Sequence, residues 1–169
     1  LLAMVDSSVV GKTAVNLPQG KNLVGSFYQP SYVCADTSTL STLSEREWTC
    51  GWGEVVKSAL LDSDAFFFWL AENADKLARH DESLVREAIA RCVVFKANVV
   101  AADETERSGM RECLNLGHTL GHAIEQLTGF GTYSHGVCVA EGIRFAARLG
   151  VALYGTPIAL VQELASLFE

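Results

Sequence analysis

From Ser44 onward the chain carries helix starts and stops at short intervals, and this punctuation leaves room for little but a helical bundle. Ser44-Glu45-Arg46-Glu47 is an S-x-x-E capping box, which predicts a helix beginning just after Ser44 and running to about Leu61. A second, short helix is expected from Asp64 to about Asn73. A third begins near Asp81 and continues to about Ala101. Its apolar residues Leu84, Val85, Ala88, Ile89, Cys92 and Val93 follow the 3-4 spacing of an amphipathic helix. A fourth is predicted from about Gly109 to Leu127, stopping at Gly129. A fifth follows His135 and ends near Gly155, and Thr156-Pro157 supplies an N-cap and first-turn proline for a sixth.

Before Ser44 the character differs. Residues 6 to 30 are rich in Gly, Ser, Asn, Pro and Lys and read as loop with short helical pieces. Leu1–Val5 reads as the end of a buried strand, and Ser31–Asp36 as a short strand. The expected organisation is an α/β tail over residues 1–44 and a mostly α-helical domain over residues 45–169. The chain opens without an initiator Met, in the middle of an element, and reads as a fragment.

Composition narrows the function. At 169 residues, 49% hydrophobic and 20% charged, the chain can bury a real core and is unlike a disordered one. A net charge of -7 argues against a nucleic-acid surface, though a local cluster of Lys and Arg could still receive a small anion. The five cysteines are odd in number and form no CxxC, which fits a reducing cytoplasm better than a disulfide framework or a structural zinc cluster. The longest apolar run, Ala65–Ala71, is far below the roughly 20 residues a membrane span needs.

Chemistry concentrates in "NLGHTLGHAIE", residues 115–125. His118 and His122 stand at i, i+4 and share a helical face, and His135 follows after a turn. Neutral imidazoles suit a divalent metal. A pair of core or surface histidines fits the same spacing. His80, in "ARHDE", reads as a solvated residue between helices. A catalytic metal needs about three protein ligands and an open position. Glu54, on an otherwise apolar helical stretch, is the natural third ligand; its rival role is a surface pair with Lys57 at i+3. Lys12 and Lys21 sit in glycine-containing loops beside Asn16 and Asn22, a composition that can cradle an anion or simply face solvent. "GKT" is not a P-loop, because Asp6 stands where that motif needs glycine. Gly117 and Gly121 are costly inside a helix, about 1 kcal/mol each, and suggest a close neighbour.

The strings "VDSSVVGKTAVNLPQGKNLVGSFYQP", "GEVVK", "FKANVVAADE" and "RECLNLGHTLGHAIE" closely resemble 3-dehydroquinate synthase, a sugar phosphate cyclase. The resemblance covers nearly the whole chain. It implies a dehydroquinate synthase-like fold whose N-terminal nucleotide-binding domain is largely outside this chain. It also implies use of NAD and a divalent metal, zinc or cobalt. The implied activity converts 3-deoxy-D-arabino-heptulosonate 7-phosphate to 3-dehydroquinate and phosphate, in the shikimate pathway of aromatic amino acid biosynthesis. A cytoplasmic homodimer is the implied form. Carried over residue by residue, the metal ligands would be Glu54, His118 and His135. His122 would handle protons and touch the phosphate. Lys12, Asn22 and Asn115 would hold the phosphate, with Asn115 on the same helical face as His118. Lys96 and Arg111 would grip the carboxylate. Asp6, Lys21 and Lys57 would line the site near the reacting hydroxyls and the nicotinamide.

Several positions depart from that family pattern. Val10 stands in place of glycine, Trp52 and Gly53 in place of a smaller aliphatic and alanine, and Ser58 in place of tyrosine. Val137 replaces the glutamate of "HGE", which bears on the surroundings of His135. The family's glycine-rich pyrophosphate loop is not found, and the 169 residues alone are expected not to turn over. Rival readings are a 2-deoxy-scyllo-inosose synthase-like cyclase, a metal-dependent polyol dehydrogenase and a non-catalytic relic.

Overall fold

The computed structural model describes every residue except Val10, Thr105, Phe130 and Glu169; the side chains of Asn16, Gly20, Lys21 and Asn22 also lie outside the described set. Among the described residues a β-hairpin, β1 (Lys12–Leu17) and β2 (Gly20–Phe27), precedes seven α-helices: α1 (Glu45–Asp62), α2 (Asp64–Glu72), α3 (Ala74–Ala78), α4 (Glu82–Ala102), α5 (His118–Thr128), α6 (His135–Tyr154) and α7 (Ile158–Leu167).

Helix α1 runs through the middle, packed against α2, α4 and α6. Nearly all of it from Trp48 to Ala59 is buried, so it has no solvent face on which to place Glu54, Lys57 or Ser58. It begins where the capping box predicts, but Ser44 caps through its backbone oxygen, with no side-chain hydrogen bond. The predicted apolar stripe of α4 is the buried one, with Val85, Ala88, Ile89 and Cys92 in the core, and the Asp81 carboxylate accepts from Leu84 N–H. The short helix α3 was not among those expected from the sequence.

Five expectations for local structure fail. Leu1–Val5 is not a strand: Ala3–Ser7 forms a π-helical turn, with Ser8 N–H donating to the Ala3 carbonyl at 3.0 Å. Leu1 and Val5 are buried as expected, but a short apolar run cannot distinguish extended from helical backbone. Ser31–Asp36 is irregular, and Tyr32 is exposed; the Asp36 carboxylate instead accepts from Ser38 N–H and opens a 3-10 turn over Thr37–Thr42. Much of the supposed loop over residues 6–30 is the hairpin, paired Lys12 with Phe27 and Val15 with Val24. Gly25 hides that strand in the sequence, and it is required there, because a Cβ would lie 2.1 Å from the Thr13 carbonyl oxygen. Finally, the predicted helix over residues 109–127 is two pieces. Met110–Asn115 is a 3-10 turn, Gly117 takes φ +80°, and α5 starts at His118. Proline 157 is likewise the cap of α7 and not its first helical residue.

Candidate active site

Close helix crossings bring the site together. A Cβ on Gly53 would lie 2.3 Å from the Gly136 carbonyl oxygen, and one on Gly136 would lie 1.8 Å from that of Cys50. Helices α1 and α6 therefore touch backbone to backbone, which sets Glu54 beside His135. On the other side of α6, a Cβ on Gly142 would lie 1.9 Å from the Gly117 carbonyl oxygen, and one on Gly121 would lie 3.1 Å from that of Cys138. These contacts run α5 antiparallel along α6 and bring His118 and His122 to the same place.

The result is a cluster of three imidazoles around one carboxylate. Ring centroids of His118 lie 5.3 Å from His122 and 5.2 Å from His135. Oε1 of the fully buried Glu54 lies 3.5 Å from Nε2 of His135 and 3.8 Å from Nε2 of His118. Its Oε2 meets the ammonium of Lys57. Oε1, the oxygen that faces the two imidazoles, has no well-placed hydrogen-bond donor among the described residues. A cation beside it would give this buried oxygen a partner, as Lys57 does for the other. Glu54, His118 and His135 can each offer one ligand atom, all within 4.8 Å of one another. The alternative of an exposed Glu54–Lys57 pair is removed by burial of both.

Two of the three charge states favour this use, and the third opposes it. Burial pushes the Glu54 carboxyl up, but His135 and Lys57 outweigh it and hold the pKa at about 2. Burial, helped by the Lys57 charge, lowers His118 and keeps its imidazole neutral, the form that binds metal. Contact with Glu54 raises His135 against its burial.

The basic residues divide into two groups. Lys57 and Lys96 are buried and converge on Asp6 in the π-helical turn. Lys96 Nζ lies 2.6 Å from both the Asp6 carbonyl and Oδ1, and Lys57 Nζ lies 3.9 Å from Oδ1. Burial lowers the Lys96 pKa, with Asp6 pulling the other way. Lys12 and Arg111 instead share Glu106, at 2.5 Å and 3.3 Å. So Lys96 and Arg111, expected as a pair for one carboxylate, meet different acids. Lys21 and Asn22 lie outside the described side chains. Asn115 is exposed on the 3-10 turn beyond Gly117, beside a groove with Leu61, Leu116 and Phe145. It is not one helical turn before His118 on a common face, because Gly117 breaks that helix. His80 is partly covered: one face of its ring stacks on Trp48 with centroids 3.9 Å apart, and the rest of the side chain meets solvent.

Against this geometry, the family profile described as 3-dehydroquinate synthase C-terminal matches residues 51–169, and the one described as 3-dehydroquinate synthase N-terminal matches residues 1–50. The chain belongs to the 3-dehydroquinate synthase family. It is 55% identical over 148 residues to the 3-dehydroquinate synthase of Vibrio atlanticus (strain LGP32), covering 88% of this chain and 41% of the relative. Against that of Neisseria meningitidis serogroup C it is 49% identical over 169 residues, covering 100% and 47%. The chain thus spans less than half the length of these relatives. A crystal structure of 2-deoxy-scyllo-inosose synthase with carbaglucose-6-phosphate, NAD+ and Co2+ superposes with a TM-score of 0.86 at 32% identity, covering 99% of this chain and 46% of that one. ValA, the 2-epi-5-epi-valiolone synthase of Streptomyces hygroscopicus subsp. jinggangensis 5008, shares the fold with a TM-score of 0.88 at 21% identity, covering 98% and 46%.

Within the 3-dehydroquinate synthase family the departures of this chain have local explanations. Gly53 is the residue that lets α1 touch α6. Trp52 and Val137 line one wall of the same apolar cavity of about 310 Å³, with Leu70, Leu77 and Phe168 around it. Ser58 is buried in α1 against the Cys92 thiol, which burial pushes up to about 12 despite that hydrogen bond. Val10 lies outside the described residues. Three residues were missed in the sequence. Glu125 faces Nδ1 of His135 at 3.4 Å, and its spacing from His118 and His122 (i+7 and i+3) marked it as sharing their face. Glu106, at φ +55°, and Asp103 sit in a loop where spacing carries no such signal.

Proposed function

We propose that this chain carries the metal- and substrate-binding part of a 3-dehydroquinate synthase, with residues 1–44 completing a nucleotide-binding domain and residues 45–169 forming the helical one. The substrate is 3-deoxy-D-arabino-heptulosonate 7-phosphate, the products are 3-dehydroquinate and phosphate, and the setting is the cytoplasmic shikimate pathway. The whole enzyme uses NAD and zinc or cobalt and works as a homodimer. The observation that carries the reading is the buried Glu54 carboxylate, one oxygen paired with Lys57 and the other facing the His118 and His135 imidazoles.

Glu54, His118 and His135 would hold the metal. Bound there, a divalent cation would polarise substrate hydroxyls and favour loss of a proton. Lys57 neutralises the second oxygen of Glu54 and fixes its orientation. Asp6 holds Lys57 and Lys96 from the opposite side, and a substrate anion that displaced its carboxylate would meet both ammonium groups. His122, exposed and adjacent to both metal-binding imidazoles, is placed to take up or release a proton at the mouth of the site. Lys12 and Arg111 are held by one internal carboxylate, Glu106, which a phosphate or carboxylate of the substrate would replace. By the family resemblance, Asn22 and Asn115 are assigned to the phosphate, and Lys21, with Asp6, to the nicotinamide. Among the described residues the sheet is a two-stranded antiparallel hairpin, with no parallel strand ends to receive a dinucleotide.

The test is a chimaera in which this chain replaces the matching segment of the Neisseria meningitidis relative. With NAD and zinc or cobalt it should release inorganic phosphate from 3-deoxy-D-arabino-heptulosonate 7-phosphate. A folded chimaera that releases none, or that prefers an uncarboxylated hexose phosphate, would overturn the reading.

A further inference from the structure

We infer that Glu125 is a positioning residue for the candidate metal centre: it holds Nδ1 of His135 and thereby aims Nε2 at Glu54 and His118. This rests on the metal-binding reading above. The His135 ring lies between two buried carboxylates on different helices, Glu125 of α5 at 3.4 Å from Nδ1 and Glu54 of α1 at 3.5 Å from Nε2. A neutral imidazole carries one N–H. With that proton on Nδ1, donated to Glu125, the lone pair on Nε2 is free for a cation. Metal-binding histidines commonly give their other N–H to a carboxylate, which fixes the ring and raises its basicity.

The same residues could be read otherwise, because His122, Glu125 and His135 also bring three ligand atoms within 4.8 Å of one another. A cation bound there through Nδ1 of His135 would need the lone pair of that nitrogen. Both nitrogens could then serve two cations only if the ring lost its second proton as well. With Nε2 committed to the Glu54 side, Glu125 is an acceptor of the Nδ1 proton and not a ligand. Val137, which lines the apolar cavity, offers no acceptor in its place.

Equilibrium dialysis against Co2+, followed by the visible absorption of the bound cobalt, tests this on the whole chain and on Glu125→Ala, Glu125→Met and Glu125→Gln. The parent should bind one cobalt. The Ala and Met variants should bind it about 10- to 100-fold more weakly, with an altered spectrum, and Gln, which keeps an acceptor, should fall between. The Met variant keeps the volume of the side chain and decides the matter if the Ala variant does not fold. Unchanged affinity and spectrum in folded variants would overturn the inference alone. So would two cobalt ions in the parent, one of them lost in the variants with the other unaffected. No cobalt in the parent would overturn the metal reading itself, and the inference with it.

Discussion

Nε2 of His135 lies 3.5 Å from Oε1 of Glu54, although the two residues stand 81 positions apart in the chain, on different helices. The approach is possible because α1 and α6 meet at Gly53 and Gly136. The short distance follows from the absence of side chains at the crossing, and the chemistry follows from the distance.

Gly53→Ala should therefore act on both. Its Cβ would lie 2.3 Å from a backbone oxygen, which cannot rotate away, so the helices must part. Urea denaturation should show a loss of about 1–3 kcal/mol. Gly121→Ala, whose Cβ would lie 3.1 Å from the Cys138 oxygen, should cost less and serves as the comparison.

Glu54→Gln should destabilise the chain even without metal. It leaves the buried Lys57 ammonium with only the more distant Asp6 carboxylate. Removing one partner of a buried pair costs about 3–5 kcal/mol, which urea denaturation in the presence of a chelator would detect. A Glu54→Gln, Lys57→Met double variant should recover part of that loss, because no charge is then left buried alone.

Asp103 should make the loop after α4 sensitive to acid. Burial raises its carboxyl, but backbone N–H groups of Arg107, Ser108 and Arg111 outweigh this and hold it below the ordinary 3.8. The folded chain thus binds this proton more weakly than the unfolded one. The stability it supplies is fully present above the unfolded value and is lost as pH falls through the lower folded value. Asp103→Asn should be less stable than the parent at neutral pH, and the difference should shrink as pH falls below 3.8, measured by urea midpoints.

The sequence made the helices legible wherever an apolar stripe agreed with a cap, as in α4 with Asp81 and Ile89. It also made Glu54, His118 and His135 legible as candidates, since a carboxylate in an apolar stretch and an i, i+4 imidazole pair are local patterns. What escaped was set at a distance. The hairpin was masked because its strands carry glycines that only the partner strand explains, Gly25 against Thr13. The break at Gly117 was masked because a glycine within a helical pattern can mean either a tight crossing or a left-handed turn, and here it is both. The alliance of Lys12 with Arg111 through Glu106 joins residues almost 100 positions apart, and no spacing announces it.

Cobalt binding by the parent chain and by Glu54→Gln, His118→Ala and His135→Ala tests the central claim most directly. Equilibrium dialysis at neutral pH should find one cobalt per parent chain and a large loss of affinity, about 100-fold or more, in each variant that remains folded. Equal binding by the parent and all three variants would contradict the claim that these residues form the metal centre.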